Sequence, residues 1–276
     1  MSQNDSTPQN PSSNPNATPG TNDLDLPPEM FRSGDTVETT SMMIQRLKFG
    51  LVEVQAKWTE VEGHALFEGD IVLDSADVVR NALDARGIGI SGEQYRWPKG
   101  IVPFVTEEAL RQRVEAAIDH WQQRTPIRFI KRTNEPDYIS FERQDGCWSR
   151  VGRQGGMQVI SLGGGCGLGP AIHEIGHALG LWHEQSRSDR DDFIEVLLQN
   201  VAPNRRHNFD KHVQDADDLG RYDFDSIMHY SATAFSINGQ PTIRARGGQS
   251  FGQRNGLSAG DLAAVKLMYP GLAWPA

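Results

Sequence analysis

The spacing of apolar residues changes along this 276-residue chain, and its first third is the least regular part. Of the first 23 residues, 18 are Asn, Pro, Ser, Thr or Gln, which leaves too little apolar surface to offset the entropy of an ordered chain. We therefore expect residues 1–28 to form a disordered tail. Apolar residues return from about Glu29, and between Met42 and Trp58 they recur at roughly helical spacing, which predicts a helix. Residues 85–92 are rich in glycine and predict a flexible, cleavable linker.

Strands and helices are both predicted beyond this linker. Apolar runs predict strands at residues 97–105, 127–131, 138–142 and 157–162. Helices are expected from Thr106 to about Trp121, from Gly169 to Leu179 and from Ser258 to Pro270. Gly180 is suited to end the second of these helices. Because strands and helices are mixed along the chain, the predicted fold class is an α+β domain with a mixed sheet.

Charge is unevenly distributed. The formal net charge is −9, but residues 1–86 carry 6 Lys or Arg against 14 Asp or Glu, whereas residues 87–276 carry 21 against 22. This balance argues against a general nucleic-acid binder, which needs clustered cations to neutralise phosphates. No run approaches the roughly 18 consecutive apolar residues of a membrane-spanning helix. We also expect no Sec-type signal peptide, because no apolar stretch precedes the first basic residue, Arg32.

The most informative stretch contains three histidines, His173, His177 and His183. Positions i and i+4 of a helix lie on one face about 6 Å apart, so His173 and His177 can direct ring nitrogens at one metal ion. A continuous helix would carry His183 about 9 Å further along its axis, but Gly180 can adopt a left-handed conformation that turns the chain back. Three neutral imidazoles leave a fourth position for water, which is typical of a catalytic zinc site. Glu174 lies beside the expected ion and can take the proton of that water as it attacks a carbonyl.

A histidine is often a surface or core residue without any ligand. With the residue frequencies of this chain, however, the fixed positions of this motif would coincide by chance on the order of a few times in 10⁵ sequences. One Zn²⁺ ion per chain is therefore the expected cofactor.

The pattern His-Glu-x-x-His-x-x-Gly-x-x-His is similar to that of the metzincin zinc peptidases, and Glu184 directly after His183 resembles the astacin branch. The run Ser226-Ile227-Met228-His229-Tyr230 resembles the astacin Met-turn. The similarity extends over essentially all of residues 87–276. It implies a zincin-like catalytic domain of two subdomains, with an active-site helix and a C-terminal helix.

The resemblance also implies roles for single residues. Met228 would form a hydrophobic base beneath the zinc ligands. Tyr230 would be a displaceable fifth metal ligand and a hydrogen-bond donor to the oxyanion. Cys147 and Cys166 would form a disulfide, with two free thiols as the alternative in a reducing cytosol. The bridge and the family favour an extracellular location.

Phe67-Glu68-Gly69-Asp70 resembles the inhibitory prosegment motif of astacins. In that motif the Asp carboxylate occupies the water position on zinc, so Asp70 is the expected metal ligand of a latent form. Gly69 would let the backbone approach the metal closely. The alternative for Asp70 is an ordinary position in a solvated turn.

These similarities divide the chain into three parts. After the tail, residues 29–86 are expected to be an inhibitory prosegment and residues 87–276 an astacin-like peptidase domain. An activating protease would cut near Arg86. By the resemblance, the freed amino group would then reach the carboxylate of Glu184, since a buried carboxylate without a cation is costly.

The predicted function is a zinc-dependent endopeptidase, made as a zymogen, that hydrolyses protein or peptide substrates with a zinc-bound water activated by Glu174. We expect a monomer. A non-catalytic zinc module is the alternative, but it would be expected to lack Glu174 or Tyr230. A matrixin is less consistent with the sequence, because its thiol-based lock needs a cysteine that the N-terminal third does not contain.

Arg254 is the candidate specificity residue. It resembles a position at which the tolloid and meprin branches favour acidic residues after the scissile bond. A guanidinium there would pair with an Asp or Glu side chain of the substrate. The alternative is an ordinary surface arginine.

Overall fold

The computed structural model describes residues 31–46, 50–81, 93–211 and 218–275. The predicted tail at 1–28, the predicted linker at 85–92 and the expected cut near Arg86 lie outside these residues.

Residues 31–81, here called the N-terminal segment, are built mainly of antiparallel strands. Their bounds are β1 Val37–Arg46, β2 Gly50–Val61, β3 His64–Phe67 and β4 Ile71–Ser75, followed by the short helix α1 Ala76–Asn81. The predicted helix between Met42 and Trp58 is wrong, because β1 and β2 pair there as an antiparallel hairpin. In β2, Ala56 and Trp58 are buried while Lys57 between them is exposed. This period of two is characteristic of a strand. It is recognised only when the polar residues between the apolar ones are considered as well.

The strands of the following region continue the same sheet. Their bounds are β5 Ile101–Thr106, β6 Arg128–Lys131, β7 Tyr138–Glu142, β8 Cys147–Ser149 and β9 Met157–Leu162. Over the described residues, nine strands form one mixed sheet in the order β1-β2-β3-β4-β8-β9-β7-β5-β6. The N-terminal segment joins it through β4, which lies parallel to β8 with Ile71 opposite Ser149.

Most of the predicted strands are confirmed. Those at 138–142 and 157–162 have the predicted bounds, and that at 127–131 begins one residue later. The strand predicted from residue 97 begins at Ile101, because a short 3-10 turn at Pro98–Gly100 precedes it. Strand β8 was not predicted, since three residues are too few to show an alternating pattern.

The longer helices are α2 Arg111–Arg124, α3 Leu168–Leu179 and α4 Ala259–Met268. The expected start of α2 at Thr106 is wrong, because Thr106 is the last residue of β5 and a 3-10 turn at Glu108–Leu110 intervenes. The predicted cap of α4 is confirmed. The Ser258 hydroxyl accepts from the Asp261 amide at 2.9 Å, and the Asp261 carboxylate accepts from the Ser258 amide at 2.9 Å.

The loop-rich stretch after α3 contains a second, two-stranded sheet that was not predicted. Strand β10 Ile194–Val196 pairs antiparallel with β11 Ile243–Ala245. Short 3-10 turns lie at Glu184–Ser186, Arg190–Asp192, Leu198–Asn200 and Pro203–Phe209.

The buried apolar residues form separate clusters. The largest lies between the sheet and helices α2 and α3, where Trp121 of α2 donates to the Ile172 carbonyl of α3 at 3.1 Å. A second cluster, including Phe209, Tyr230 and Phe235, belongs to the half of the chain after α3. Helix α3 and the turn that precedes Tyr230 therefore meet where the two clusters adjoin.

A disulfide joins Cys147 of β8 to Cys166 just before α3, with the two Cα atoms 5.8 Å apart. In the chain-entropy model a loop of this length contributes about 3 kcal/mol to stability. The bridge fixes the start of the helix to the strand that pairs with the N-terminal segment. None of the helices in the described residues is long and apolar enough to cross a membrane.

Candidate active site

Helix α3 and the turn after it bring three imidazoles together. His173 and His177 lie one turn apart on α3, with ring centroids 4.7 Å apart. Gly180 has a φ of 113°, in the left-handed region, and its amide donates to the His177 carbonyl at 2.8 Å. The chain therefore turns back, and the His183 ring centroid lies 4.7 Å from that of His177 and 5.4 Å from that of His173.

The carboxylate of Asp70 completes this group. Its Oδ2 lies 3.3 Å from His173 Nε2 and 3.2 Å from His183 Nε2, and its Oδ1 lies 3.7 Å from His177 Nε2. A tetrahedral zinc ion with bonds of about 2.0 to 2.1 Å separates its ligand atoms by about 3.3 Å. Among the described residues, His177 Nε2 and Asp70 Oδ1 are buried without a hydrogen-bond partner. The spacing and the unpartnered atoms both fit a zinc ion held by these four residues.

The other nitrogen of each ring fixes its tautomer. Nδ1 of His173 lies 2.8 Å from the Ile227 carbonyl, and Nδ1 of His177 lies 2.8 Å from the Leu181 carbonyl. A carbonyl only accepts, so both Nδ1 atoms carry the proton and both Nε2 lone pairs face the site. His183 Nδ1 instead lies 2.7 Å from a carboxylate oxygen of Glu68. Such partners orient metal-binding histidines and raise their basicity.

Two buried carboxyl groups in the site have opposite electrostatic environments. Burial acts to raise the pKa of Asp70, but the charge of His183 and the close approach of the other two imidazoles outweigh it and hold that pKa well below its usual range. Burial, with the charge of Asp70 in addition, raises the pKa of Glu174 well above its usual range. Neither carboxylate oxygen of Glu174 has a hydrogen-bond partner among the described residues.

The turn from Ser226 to Tyr230 lies against α3. A Cβ atom on Gly176 of α3 would lie 2.8 Å from the Met228 sulfur, so the helix and Met228 are in direct contact. Asp261 holds the turn, since its carboxylate accepts from the Ser226 hydroxyl at 2.6 Å and from the Ile227 amide at 3.0 Å. The sequence predicts Asp261 only as a helix cap, because its contacts with Ser226 and Ile227 join residues far apart in the chain.

The side chain of Tyr230 is fully buried beside the histidines. Its ring centroid lies 4.6 Å from that of His183, and its hydroxyl donates to the backbone carbonyl of Glu68. Burial, with the nearby Glu68 and Asp70 charges, raises the pKa of Tyr230 well above its usual range. The N-terminal segment therefore engages the Tyr230 hydroxyl in a hydrogen bond. By the family resemblance, this hydroxyl would otherwise bind the metal or donate to the oxyanion.

Residues 67–70 run directly across the histidines. Glu68 and Gly69 have φ values of 50° and 82°, and a Cβ atom on Gly69 would lie 2.6 Å from the Phe235 ring and 3.2 Å from the Arg32 carbonyl. Only glycine fits this close approach without displacement of its neighbours. The Asp70 carbonyl accepts from the Ser149 amide at 2.9 Å, which holds the segment to β8.

Glu68 is a site residue that the sequence analysis quoted only as part of a motif. It is fully buried, and its carboxylate contacts both His183 Nδ1 and the Ser186 hydroxyl. The position of Glu68 within Phe67-Glu68-Gly69-Asp70 was the only sign in the sequence that it belongs to the site. Its contact could not be predicted, because its partner His183 lies 115 residues later in the chain.

Glu184 lies away from the metal-facing atoms. Its carboxylate accepts from the Asp223 amide at 2.7 Å and lies 3.6 Å from Arg187 Nε. Burial raises the pKa of Glu184 to about 8, against the effect of Arg187. Since residues 82–92 lie outside the described residues, the expected contact with a new amino terminus remains a prediction.

The guanidinium of Arg254 is buried near Glu174 and is not a surface group. Its Nη1 donates to the carbonyls of His229 and Gln253 at 2.9 Å each, while Nε and Nη2 have no partner among the described residues. Burial lowers the pKa of Arg254 to about 10, with Asp70 and Glu174 acting in the opposite direction. Two unsatisfied donors of a buried cation are available for an anionic group.

Comparison with known proteins agrees with this geometry. A family model described as Astacin, a peptidase family, matches residues 89–270. Blastula protease 10 of Paracentrotus lividus is 40% identical over 234 residues, covering 74% of this chain and 38% of that protein. Meprin A subunit beta of Homo sapiens is 40% identical over 218 residues, covering 75% of this chain and 30% of that protein.

A solved structure shows the same relationship. High choriolytic enzyme 1, a hatching enzyme zinc-protease from Oryzias latipes, is 39% identical with a TM-score of 0.59, and the match covers 63% of this chain and 92% of that chain. The match spans about a third of the length of these two curated relatives. With a family model over most of its length and relatives at this identity, the chain belongs to the astacin family of peptidases.

Proposed function

We propose that this chain is a zinc-dependent endopeptidase made as a zymogen, in which residues 29–86 are the prosegment and residues 87–276 the peptidase domain. The observation that carries the proposal is the convergence of three imidazoles and the Asp70 carboxylate at distances that fit one zinc ion. Membership of a peptidase family supports the reaction class.

His173, His177 and His183 hold the metal, which when bound supplies a Lewis acid and lowers the pKa of water at its open position. Glu174, whose carboxylate oxygens have no partner among the described residues, takes the proton from the attacking water and passes it to the leaving amine. Tyr230, once released from Glu68, donates a hydrogen bond to the developing oxyanion. Met228 supports the ligands from beneath α3.

Latency follows from the position of Asp70. Its carboxylate takes the place that water needs, so the uncleaved chain is inactive. A protease that cuts near Arg86 releases the segment, and the new amino terminus pairs with Glu184, whose mostly buried carboxylate shares the Arg187 guanidinium with Asp189. The substrates are proteins or peptides, and the enzyme acts as a monomer. The disulfide favours an extracellular, oxidising environment.

Metal dependence tests the function itself. The purified chain is expected to contain one zinc ion per chain by elemental analysis. After proteolytic processing it should hydrolyse a quenched fluorescent peptide library, lose that activity with 1,10-phenanthroline and regain it with added Zn²⁺. Hydrolysis that survives complete removal of the metal would contradict the proposal.

Arg254 is expected to favour Asp or Glu directly after the scissile bond. An acidic side chain would satisfy the two unpartnered donors of its guanidinium, and a charge-assisted pair of this kind corresponds to about a tenfold preference in kcat/KM over alanine. The preference should disappear in Arg254→Gln. The matched control is Arg244→Gln, which removes an exposed arginine paired with exposed Glu195.

Library profiling of the processed enzymes measures this preference. Equal cleavage before acidic and neutral residues by the wild-type enzyme would exclude Arg254 as a specificity residue. Loss of the preference in Arg244→Gln as well would assign the preference to overall charge.

A further inference from the structure

The side chain of Phe31 lies in the metal site, although nothing in its local sequence indicates a role there. Its ring centroid lies 4.6 Å from the Tyr230 ring, 5.7 Å from the Phe235 ring and 6.2 Å from the His183 ring. Phe31 thus contacts a metal-binding histidine and the tyrosine next to it. It precedes the Phe67-Glu68-Gly69-Asp70 motif by more than 30 residues.

Several contacts hold Phe31 in this position. The Arg32 amide donates to the Gly69 carbonyl at 2.8 Å, and the Gly34 amide donates to the Thr59 hydroxyl at 2.9 Å. The Arg32 guanidinium forms ion pairs with Asp145, in the loop before β8, and with Glu62 at 3.3 Å. The stretch around Phe31 is therefore tied both to the rest of the N-terminal segment and to the region after it.

The Phe31 ring packs on the rings of Tyr230 and Phe235, which together with Phe209 form a cluster here called the aromatic pocket. Their centroids lie 5.8 to 5.9 Å from one another. All three belong to the apolar cluster of the C-terminal half, and Phe31 packs on that cluster from outside it. Removal of the N-terminal segment would leave an aromatic surface exposed beside the metal, which is the usual character of a ligand-binding surface.

The aromatic pocket is separate from the environment of Arg254. The Arg254 guanidinium donates to the carbonyls of His229 and Gln253, and its backbone lies against the start of α3, where a Cβ atom on Gly169 would lie 2.1 Å from the Arg254 carbonyl oxygen. Phe31, by contrast, contacts the ring of His183 and packs on Tyr230. An acidic and an aromatic side chain of one substrate could thus be bound at different positions.

We propose that the aromatic pocket is a substrate subsite for an aromatic or other large apolar side chain, and that Phe31 closes it in the uncleaved chain. This inference rests on the proposed peptidase function. A peptide segment already occupies the pocket with a phenylalanine side chain, which is the chemistry that a peptide substrate would present. Burial of a ring of this size, relative to alanine, corresponds to about a tenfold to hundredfold preference in kcat/KM.

The test uses the full chain after proteolytic processing, with the new amino terminus identified by mass spectrometry. A quenched fluorescent peptide series is varied at one position at a time with Ala, Leu, Phe, Tyr and Asp. We expect one position, distinct from that read by Arg254, at which Phe, Tyr and Leu exceed Ala by at least tenfold. The wild-type profile needs no substitution and so does not depend on the folding of a variant.

A pair of variants then assigns that preference to the aromatic pocket. Phe235→Ala is expected to reduce the preference at that position to within about threefold of Ala, while the preference at other positions is kept. The matched control is Phe224→Ala, because Phe224 packs on the same cluster but contacts Tyr222 and Phe251. This control should keep the wild-type profile.

The outcomes separate this inference from the proposed function. Hydrolysis without a preference for large apolar residues at any position would overturn the subsite while leaving the peptidase function intact. An unchanged preference in folded Phe235→Ala would overturn it as well. Absence of all peptide hydrolysis in processed, zinc-containing protein would overturn the proposed function and this inference with it.

Discussion

Replacement of Glu174 by alanine is expected to lower kcat of the processed enzyme by about 10²- to 10⁴-fold, the range for loss of a general base. Glu174 follows the first histidine on α3, is fully buried and has no hydrogen-bond partner among the described residues. It is not one of the four residues whose atoms converge on the metal position. Its removal should therefore abolish proton transfer and leave the zinc content at the wild-type value.

The measurement combines peptide hydrolysis with elemental analysis of the same preparation. Glu174→Gln, which keeps the side-chain volume, should show the same loss and separates the proton-transfer role from packing. The control is Glu115→Ala on α2, whose exposed side chain pairs with Lys131 and should not affect activity. Activity within about threefold of wild type in either Glu174 variant would exclude Glu174 as the base.

Replacement of Asp70 by alanine is expected to give an uncleaved chain that hydrolyses peptides at least about tenfold faster than uncleaved wild type. The Asp70 carboxylate contacts all three imidazoles, so its loss opens the position that it occupies. The gain should remain well below the activity of the processed enzyme, because the Glu68 carbonyl still binds Tyr230 and Phe31 still fills the aromatic pocket.

The chain provides a matched control for this substitution. Asp74 also lies on β4, but its carboxylate pairs with Arg150 at 3.1 Å and is not part of the metal-binding group. Asp74→Ala should therefore stay as inactive as the uncleaved wild type. Equal activity in both variants would indicate that the N-terminal segment has simply been loosened.

The sequence predicted those parts of the site that depend on local geometry. The spacing of His173 and His177 follows from the helical repeat, and the return of His183 follows from a left-handed Gly180. The capping box of Ser258 and Asp261 is likewise encoded within four residues. Each of these features is set by neighbours in the chain, so a single sequence is sufficient to predict it.

The parts that could not be predicted depend on contacts between distant residues, or on a pattern of apolar residues that fits both a helix and a strand. Between Met42 and Trp58 the apolar residues alone fit a helix, while the alternation of Ala56, Lys57 and Trp58 fits the strand that forms. The contact of Glu68 with His183 and that of Phe31 with Tyr230 join residues more than 100 positions apart. No local pattern distinguishes Phe31 from any other phenylalanine.

The contacts of the N-terminal segment with the histidines and Tyr230 are thus the main feature that the three-dimensional structure adds to the sequence prediction. The motif resemblance points to Asp70 alone, whereas in the structure three further groups of the same segment, the Glu68 carboxylate, the Glu68 carbonyl and the Phe31 ring, lie beside the histidines or Tyr230. Glu68 contacts His183 through its carboxylate and Tyr230 through its carbonyl. Phe31 covers the aromatic surface beside them.

The most direct test is a comparison of peptide hydrolysis by full-length wild type and full-length Asp70→Ala, with the uncleaved state of both verified by intact mass and the zinc content of both measured. We predict zinc in both preparations, no detectable hydrolysis by wild type, and hydrolysis by Asp70→Ala that 1,10-phenanthroline abolishes. An uncleaved, zinc-containing Asp70→Ala chain that is as inactive as wild type would contradict the proposal that Asp70 keeps the chain latent.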